Sequence, residues 1–97
     1  MDRMKLIFEW DEVKAIANIK KHKVSFEEGK TVFNDPFLLS FPDSDNTRYE
    51  ERYVNVGLSA KGRALVLIHT ERQGKIRIIS CRKATAHERR YYEEGVF

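Results

Sequence analysis

The order of apolar patterns along the chain predicts one α+β domain of order β-α-α-β-β-β-β-α, an antiparallel sheet packed against helices. Three observations predict it. Residues 52–58, 64–68 and 76–82 read as successive strands, separated by the turn-forming groups Ser59-Ala60-Lys61-Gly62 and Gln73-Gly74, which makes a hairpin-linked meander. Thr85, with Glu88 three residues later, opens a helix through a capping box directly after the last of these strands. Two further helical segments, introduced by Asp11 and by Ser25, precede the meander.

Residues 4–8 alternate loosely and read as a short first strand, with Glu9-Trp10 leading into a helix over residues 12–21. Val13, Ile16, Ala17 and Lys20 recur there at helical spacing and are expected to lay that helix on one face of the sheet. After the break at His22-Lys23-Val24, Ser25 and Glu28 are placed for a second capping box, and Phe26, Val32 and Phe33 anchor a short helix ending near Asn34. Asp35-Pro36 stops it, because the residue before proline is pushed out of helical geometry. Residues 37–41 are apolar enough for a strand, and Pro42-Asp43-Ser44-Asp45-Asn46-Thr47 reads as a polar turn. In the meander, residues 64–68 are apolar on both faces, as a central strand requires.

A chain of 97 residues suits a single domain with one core, here expected to span residues 1–97. No apolar run approaches the roughly 18 residues that cross a bilayer, and the first residues carry no signal-peptide core, so a cytoplasmic protein without a membrane partner is expected. The one cysteine, Cys81, can form no internal disulfide and reads as a small buried strand residue before it reads as a nucleophile. Charge is unevenly distributed. Residues 26–51 hold seven Asp or Glu against Lys30 and Arg48, whereas residues 75–90 hold six Lys or Arg against the single carboxylate of Glu88. An acidic face and a basic face follow, and the basic one suits a polyanion.

The basic junction is where strand end, Arg82-Lys83 pair and helix start meet, so a phosphate could be held by cationic side chains and free helix N–H groups together. The competing reading is a solvated basic surface. Strict alternation places Ile76, Ile78, Ser80 and Arg82 on one face of the last strand, and Arg77, Ile79, Cys81 and Lys83 on the other. On that reading Arg72 and Arg77 flank the hairpin end while Arg82 lies at the far end, so the three need not share a site. RNA cleavage without a metal has the ribose 2′-hydroxyl attack its own phosphate, and arginine suits the developing charge but not the proton transfers. His69, His22, Glu88, Lys83 and the Tyr91-Tyr92 pair are the candidates for those transfers. His69 also reads as a core residue, His22 as a helix-end residue, Glu88 as the capping acid pairing with a nearby arginine, and the tyrosines as packing groups. No His, Cys or carboxylate cluster points to a metal, and no glycine-rich loop points to a nucleotide cofactor.

Several stretches, in order and over nearly the whole chain, resemble the BrnT toxin family. They are Phe8-Glu9-Trp10-Asp11-Glu12-Val13-Lys14, Asn18-Ile19-Lys20-Lys21-His22, Val24-Ser25-Phe26-Glu27-Glu28, Val32-Phe33-Asn34-Asp35-Pro36, Glu51-Arg52-Tyr53, and Arg77-Ile78-Ile79-Ser80-Cys81-Arg82-Lys83-Ala84-Thr85 followed by Glu88-Arg89. The resemblance implies a RelE-like fold of the RelE/ParE superfamily and a ribonuclease toxin of a type II toxin–antitoxin pair that stops growth by cutting RNA without a cofactor. It also implies a cognate antitoxin with a ribbon-helix-helix DNA-binding domain, so that operator DNA is reached only through the complex. Carried to matching positions, it favours Arg72, Arg77, Arg82 and Lys83, then Glu88 and Tyr91, as site residues. Lys23 departs from the family's usual glycine and Cys81 from its usual alanine. A non-catalytic RNA- or partner-binding module of the same fold and a ParE-like gyrase inhibitor are the alternatives.

Overall fold

The computed structural model describes residues 5–43 and 50–95; Met4 of the expected first strand and Ser44, Asp45, Asn46 and Thr47 of the expected turn lie outside them. The elements are β1 (Phe8–Glu9), α1 (Glu12–His22), α2 (Phe26–Gly29) running into a 3-10 segment (Lys30–Asn34), β2 (Leu39–Pro42), β3 (Arg52–Leu58), β4 (Ala64–Arg72), β5 (Lys75–Lys83) and α3 (Ala86–Glu94). Among the described residues the strands form one sheet in the order β1-β5-β4-β3-β2. The meander is antiparallel as expected, with β4 central. The wholly antiparallel sheet is corrected at one edge: β1 lies parallel to β5, Phe8 opposite Ile76 and Glu9 opposite Arg77. A parallel pair needs a long crossover, and here the rest of the fold supplies it.

Local chemistry sets the element ends. Asp11 Oδ1 accepts from the N–H groups of Val13 (2.8 Å) and Lys14 (3.3 Å), starting α1. The helix ends at Lys23, whose backbone is left-handed at φ 62°, a position where glycine would be at ease. Gln73 (φ 51°) and Gly74 (φ 78°) both take positive φ, the geometry of a tight hairpin turn between β4 and β5. At α3 the capping box is complete: Thr85 Oγ1 accepts from Glu88 N–H (3.1 Å), and Glu88 Oε1 accepts from Thr85 N–H (2.8 Å).

The second expected box closes on one side only. Ser25 Oγ accepts from Glu28 N–H at 3.0 Å, but the Glu28 carboxylate turns into the protein. There Arg63 donates to both its oxygens, Nε at 2.9 Å, and Ser59 Oγ donates at 2.7 Å. A buried carboxylate demands such partners, and Arg63 supplies a charge that backbone N–H groups cannot. The bidentate bond from Arg63 outweighs the cost of burial and lowers the Glu28 pKa.

The core lies between α1, α2 with its 3-10 extension, and one face of the sheet. Val24, Phe26 and Val32 meet Leu65, Leu67, Ile76, Ile78 and Cys81, with Phe8, Trp10, Phe33 and Leu38 packed at the margin. The expected inward face of α1 is corrected. Ala15 and Asn18 face the protein, while Val13, Ile16 and Ile19 are exposed. The reason is Asn18, which bonds the backbone of β5 where β1 no longer covers its edge. Its Nδ2 donates to Cys81 O (2.7 Å) and Val24 O (2.8 Å), and its Oδ1 accepts from Cys81 N–H (3.2 Å). Three bonds to otherwise unpaired backbone groups outweigh the apolar stripe in setting the helix rotation.

Candidate functional site

The site is built by an irregularity in β5. Opposite β4, Ile68 pairs with Ser80 and His69 with Ile78, so Ile79 is an extra residue and the register shifts there. Strict alternation is therefore broken. Ile76, Ile78 and Cys81 face the core, whereas Arg77, Ser80 and Arg82 share the opposite face. The expected separation of Arg77 from Arg82 is thereby corrected: a bulge reverses the parity of everything beyond it.

Cross-strand pairing extends that face. Thr70 stands opposite both Arg77 and Arg52, and Arg72 lies two residues further along β4 on the same side. Arg72, Arg77 and Arg82 are thus brought onto one sheet face, with Arg52 beside them on β3. Val54 and Ile68, a pair in the register and half-buried, form an apolar floor between the Arg52–Arg77 row and the Arg82–Val66–Val56 row. Val66 and Val56, 2% and 5% exposed, close the floor at the end where α3 packs on β3. Lys83 does not join the cluster; it pairs with Leu65 on the other parity and is exposed at the strand end.

Each arginine is held by a carboxylate. Arg77 Nη1 lies 3.3 Å from Glu9 Oε2, and Arg72 Nη2 lies 3.0 Å from Glu50 Oε1, with Arg52 Nη2 3.8 Å from the other Glu50 oxygen. Glu50 belongs to the acidic stretch, so acidic and basic regions meet at this edge instead of forming two separate faces. Arg82 makes the most exact pair, donating from Nη1 to Glu88 Oε1 (2.7 Å) and from Nη2 to Glu88 Oε2 (2.8 Å). That bond from Arg82, with the Thr85 N–H bond beside it, overcomes desolvation and drives the Glu88 pKa down to about 2. Glu88 is accordingly ionised at neutral pH and positions Arg82. Tyr91 lies on α3 with its ring edge-on to His87, centroids 4.6 Å apart.

The other candidates for chemistry are structural. His69 is buried on the core face, its Nδ1 2.7 Å from Asn55 Nδ2, its ring stacked on Tyr53. Burial lowers its pKa against the opposing pull of Glu71. Cys81 is fully buried, and a Cβ on Gly29 would come within 2.9 Å of its sulfur; burial pushes the thiol up to about 12, far from a thiolate nucleophile. Tyr92 donates to Asp35 Oδ2 at 2.6 Å and ties α3 to the loop before β2; burial, then Asp35, raises its pKa to about 12. Among the described residues, no three His, Cys, Asp or Glu side chains gather to hold a metal ion. Arg52 and Thr70 were missed by the sequence reading. Their signal was present in the alternation of β3, which places Arg52 with Val54 and Val56, but the pairing of Arg52 with Thr70 is a long-range contact.

Comparison with known proteins gives the chain's family. No curated protein matches the chain significantly. Among solved structures, the crystal structure at 1.1 Å of the Brucella abortus ribonuclease toxin BrnT is similar, with a TM-score of 0.62 and 26% identity, covering 86% of this chain and 99% of that one. The model of the family described as "Ribonuclease toxin, BrnT, of type II toxin-antitoxin system" matches residues 10–88, which hold β3, β4, β5 and the Arg82–Glu88 pair. The chain belongs to the BrnT family of ribonuclease toxins of type II toxin–antitoxin systems.

Proposed function

We propose that this protein is a metal-independent endoribonuclease of the cytoplasm whose site is the arginine face of the sheet. The observation that carries the reading is the bulge at Ile79, which turns Arg72, Arg77 and Arg82 to one side beside Arg52. An RNA strand lies across this face with phosphates on the arginines and a base against the apolar floor of Val54 and Ile68. In the reaction the ribose O2′ gives up its proton to water and forms a bond to the adjacent phosphorus, the bond to the departing O5′ breaks, O5′ takes a proton from water, and a 2′,3′-cyclic phosphate and a 5′-hydroxyl result. Negative charge grows on the phosphate oxygens as the bond forms, and Arg82, aimed by Glu88, and Arg77 are placed to stabilise it. Arg72 and Arg52 hold neighbouring phosphates; Lys83 and Tyr91, beside the Arg82–Glu88 pair in sequence, contact the strand leaving the site.

Cleavage of messenger RNA stops translation and growth, and the antitoxin that the family implies neutralises the toxin. With its ribbon-helix-helix domain the antitoxin carries the complex to operator DNA, as the family resemblance implies. One observation favours a second reading, a non-catalytic binding module or a gyrase inhibitor: the arginines already have carboxylate partners, as on a face that meets a protein. The two readings separate in one experiment. Wild type, Arg77→Ala and Arg82→Ala are induced without antitoxin while growth, total RNA and plasmid supercoiling are followed. The ribonuclease reading expects arrest and RNA cleavage for the wild type, with each substitution slowing cleavage by about 100-fold or more, the usual cost of losing one transition-state donor. Arrest with intact RNA and altered supercoiling would establish the gyrase inhibitor, and normal growth with soluble wild-type protein would leave the module.

A further inference from the structure

The apolar stripe of α1 points away from the protein. Val13 is 76% exposed, Ile16 57% and Ile19 47%, and the i, i+3 spacing joins them into one ridge along the helix. On a single eleven-residue helix this is a large apolar surface left in water, and such a patch marks an interaction site. The ridge is rigidly presented, because Asn18 on the opposite side of the helix is fixed by three hydrogen bonds to Val24 and Cys81. The helix and its C-cap carry Lys14, Lys20, Lys21 and Lys23 against Glu12 and the capping Asp11, so they are basic on balance, and Lys20 lies at the azimuth between Val13 and Ile16.

We infer that this ridge is the docking surface for an acidic amphipathic segment of the antitoxin, an assignment that rests on the toxin–antitoxin reading above. Apolar side chains of the segment pack between Val13, Ile16 and Ile19, while its carboxylates meet Lys20 and the other lysines of this basic helix. A second copy of this chain is a poor occupant, since it would bring lysines against lysines. An RNA strand would use the lysines and leave the aliphatic ridge in water. The ridge also lies on the helix-covered side of the sheet, away from the arginine face. Grip and catalysis are therefore on different surfaces, and the antitoxin segment that holds α1 reaches around β5 to cover the arginines or leaves a second segment to do so.

The test uses the full chain as wild type, Ile16→Glu, Ile16→Ala and the double variant Lys20→Glu/Lys21→Glu. Each is expressed alone and with the antitoxin from the toxin's own operon, and binding of the purified proteins is measured by calorimetry. These side chains are exposed, and circular dichroism confirms the fold of each variant. The expected result is arrest of growth by every variant expressed alone, loss of rescue by antitoxin for Ile16→Glu and for the double variant, and affinity reduced about 30-fold or more, with Ile16→Ala intermediate. Undiminished affinity of Ile16→Glu would overturn the assignment. So would a wild-type dimer in sedimentation that Ile16→Glu dissolves, or RNA binding lost in the lysine variant with antitoxin binding intact. If the wild type alone fails to arrest growth, the ribonuclease reading falls, yet calorimetry still decides where the antitoxin binds.

Discussion

Glu88 combines three roles in one carboxylate: it caps α3, fixes the guanidinium of Arg82 and is itself held ionised by both contacts. Its folded pKa of about 2 lies below the ordinary value of 4.5, so its stabilising contribution is complete above pH 4.5 and is lost as pH falls toward 2. Because the pair is part-exposed, solvent screening reduces its worth to about 1 kcal/mol. Glu88→Gln is expected to lower stability at pH 7 by about that amount, with the difference from wild type fading between pH 4.5 and pH 2; urea midpoints across that range measure it. The same substitution is expected to slow RNA cleavage without changing the pH profile near neutrality, since a carboxylate already ionised there has no proton to give. A break between pH 5 and 8 that the wild type shows and Glu88→Gln loses would instead make Glu88 a proton-transfer group.

At the scale of elements, much of the fold was legible and the exceptions share a cause. Thr85 and Glu88 announced α3, the Gln73-Gly74 turn fixed the β4–β5 hairpin, and the bounds of β3 followed from alternation, because each is decided by residues a few positions apart. The bulge at Ile79 left no mark, since Ile-Ile-Ser reads as ordinary strand and the extra residue exists only relative to Ile68 and His69 on the neighbouring strand. The arginine cluster was therefore named in part and its shared face missed. The rotation of α1 was misread for a related reason: Val13 and Ile16 follow helical periodicity, but Asn18 answers to a backbone 63 residues away. Asn18→Ala is expected to cost about 2–3 kcal/mol, more than most single exposed or half-exposed positions, because it strands the Cys81 and Val24 backbone groups. Urea denaturation measures the loss. A cost under half a kcal/mol would mean that water replaces the amide and that α1 is held by packing alone.

For the molecule as a whole, the proposed ribonuclease function makes RNA contact a matter of charge on the arginine face. Arg52, Arg72, Arg77 and Arg82 together can neutralise three or four phosphates of a single strand, which predicts a slope of log affinity against log salt of about −2 to −3. Filter binding of a short RNA to a cleavage-deficient variant such as Arg82→Ala, which keeps three of the four, is expected to give a slope near −2, and a flat response would remove RNA from this face. The parallel pairing of β1 with β5 has a different consequence, in the order of events during synthesis. Phe8 and Glu9 find their strand partners only at Ile76 and Arg77, and Asn18 its strand partner only at Cys81, so β1 and α1 cannot join the sheet until β5 has been made. Contacts so distant in sequence are slow to form. A chain still being synthesised therefore holds α1 and β1 off the sheet, and has no assembled arginine face until β5 joins it. The strand that places Arg77 and Arg82 is the strand whose arrival joins β1 to the sheet, so the arginine face is among the last parts of the fold to assemble.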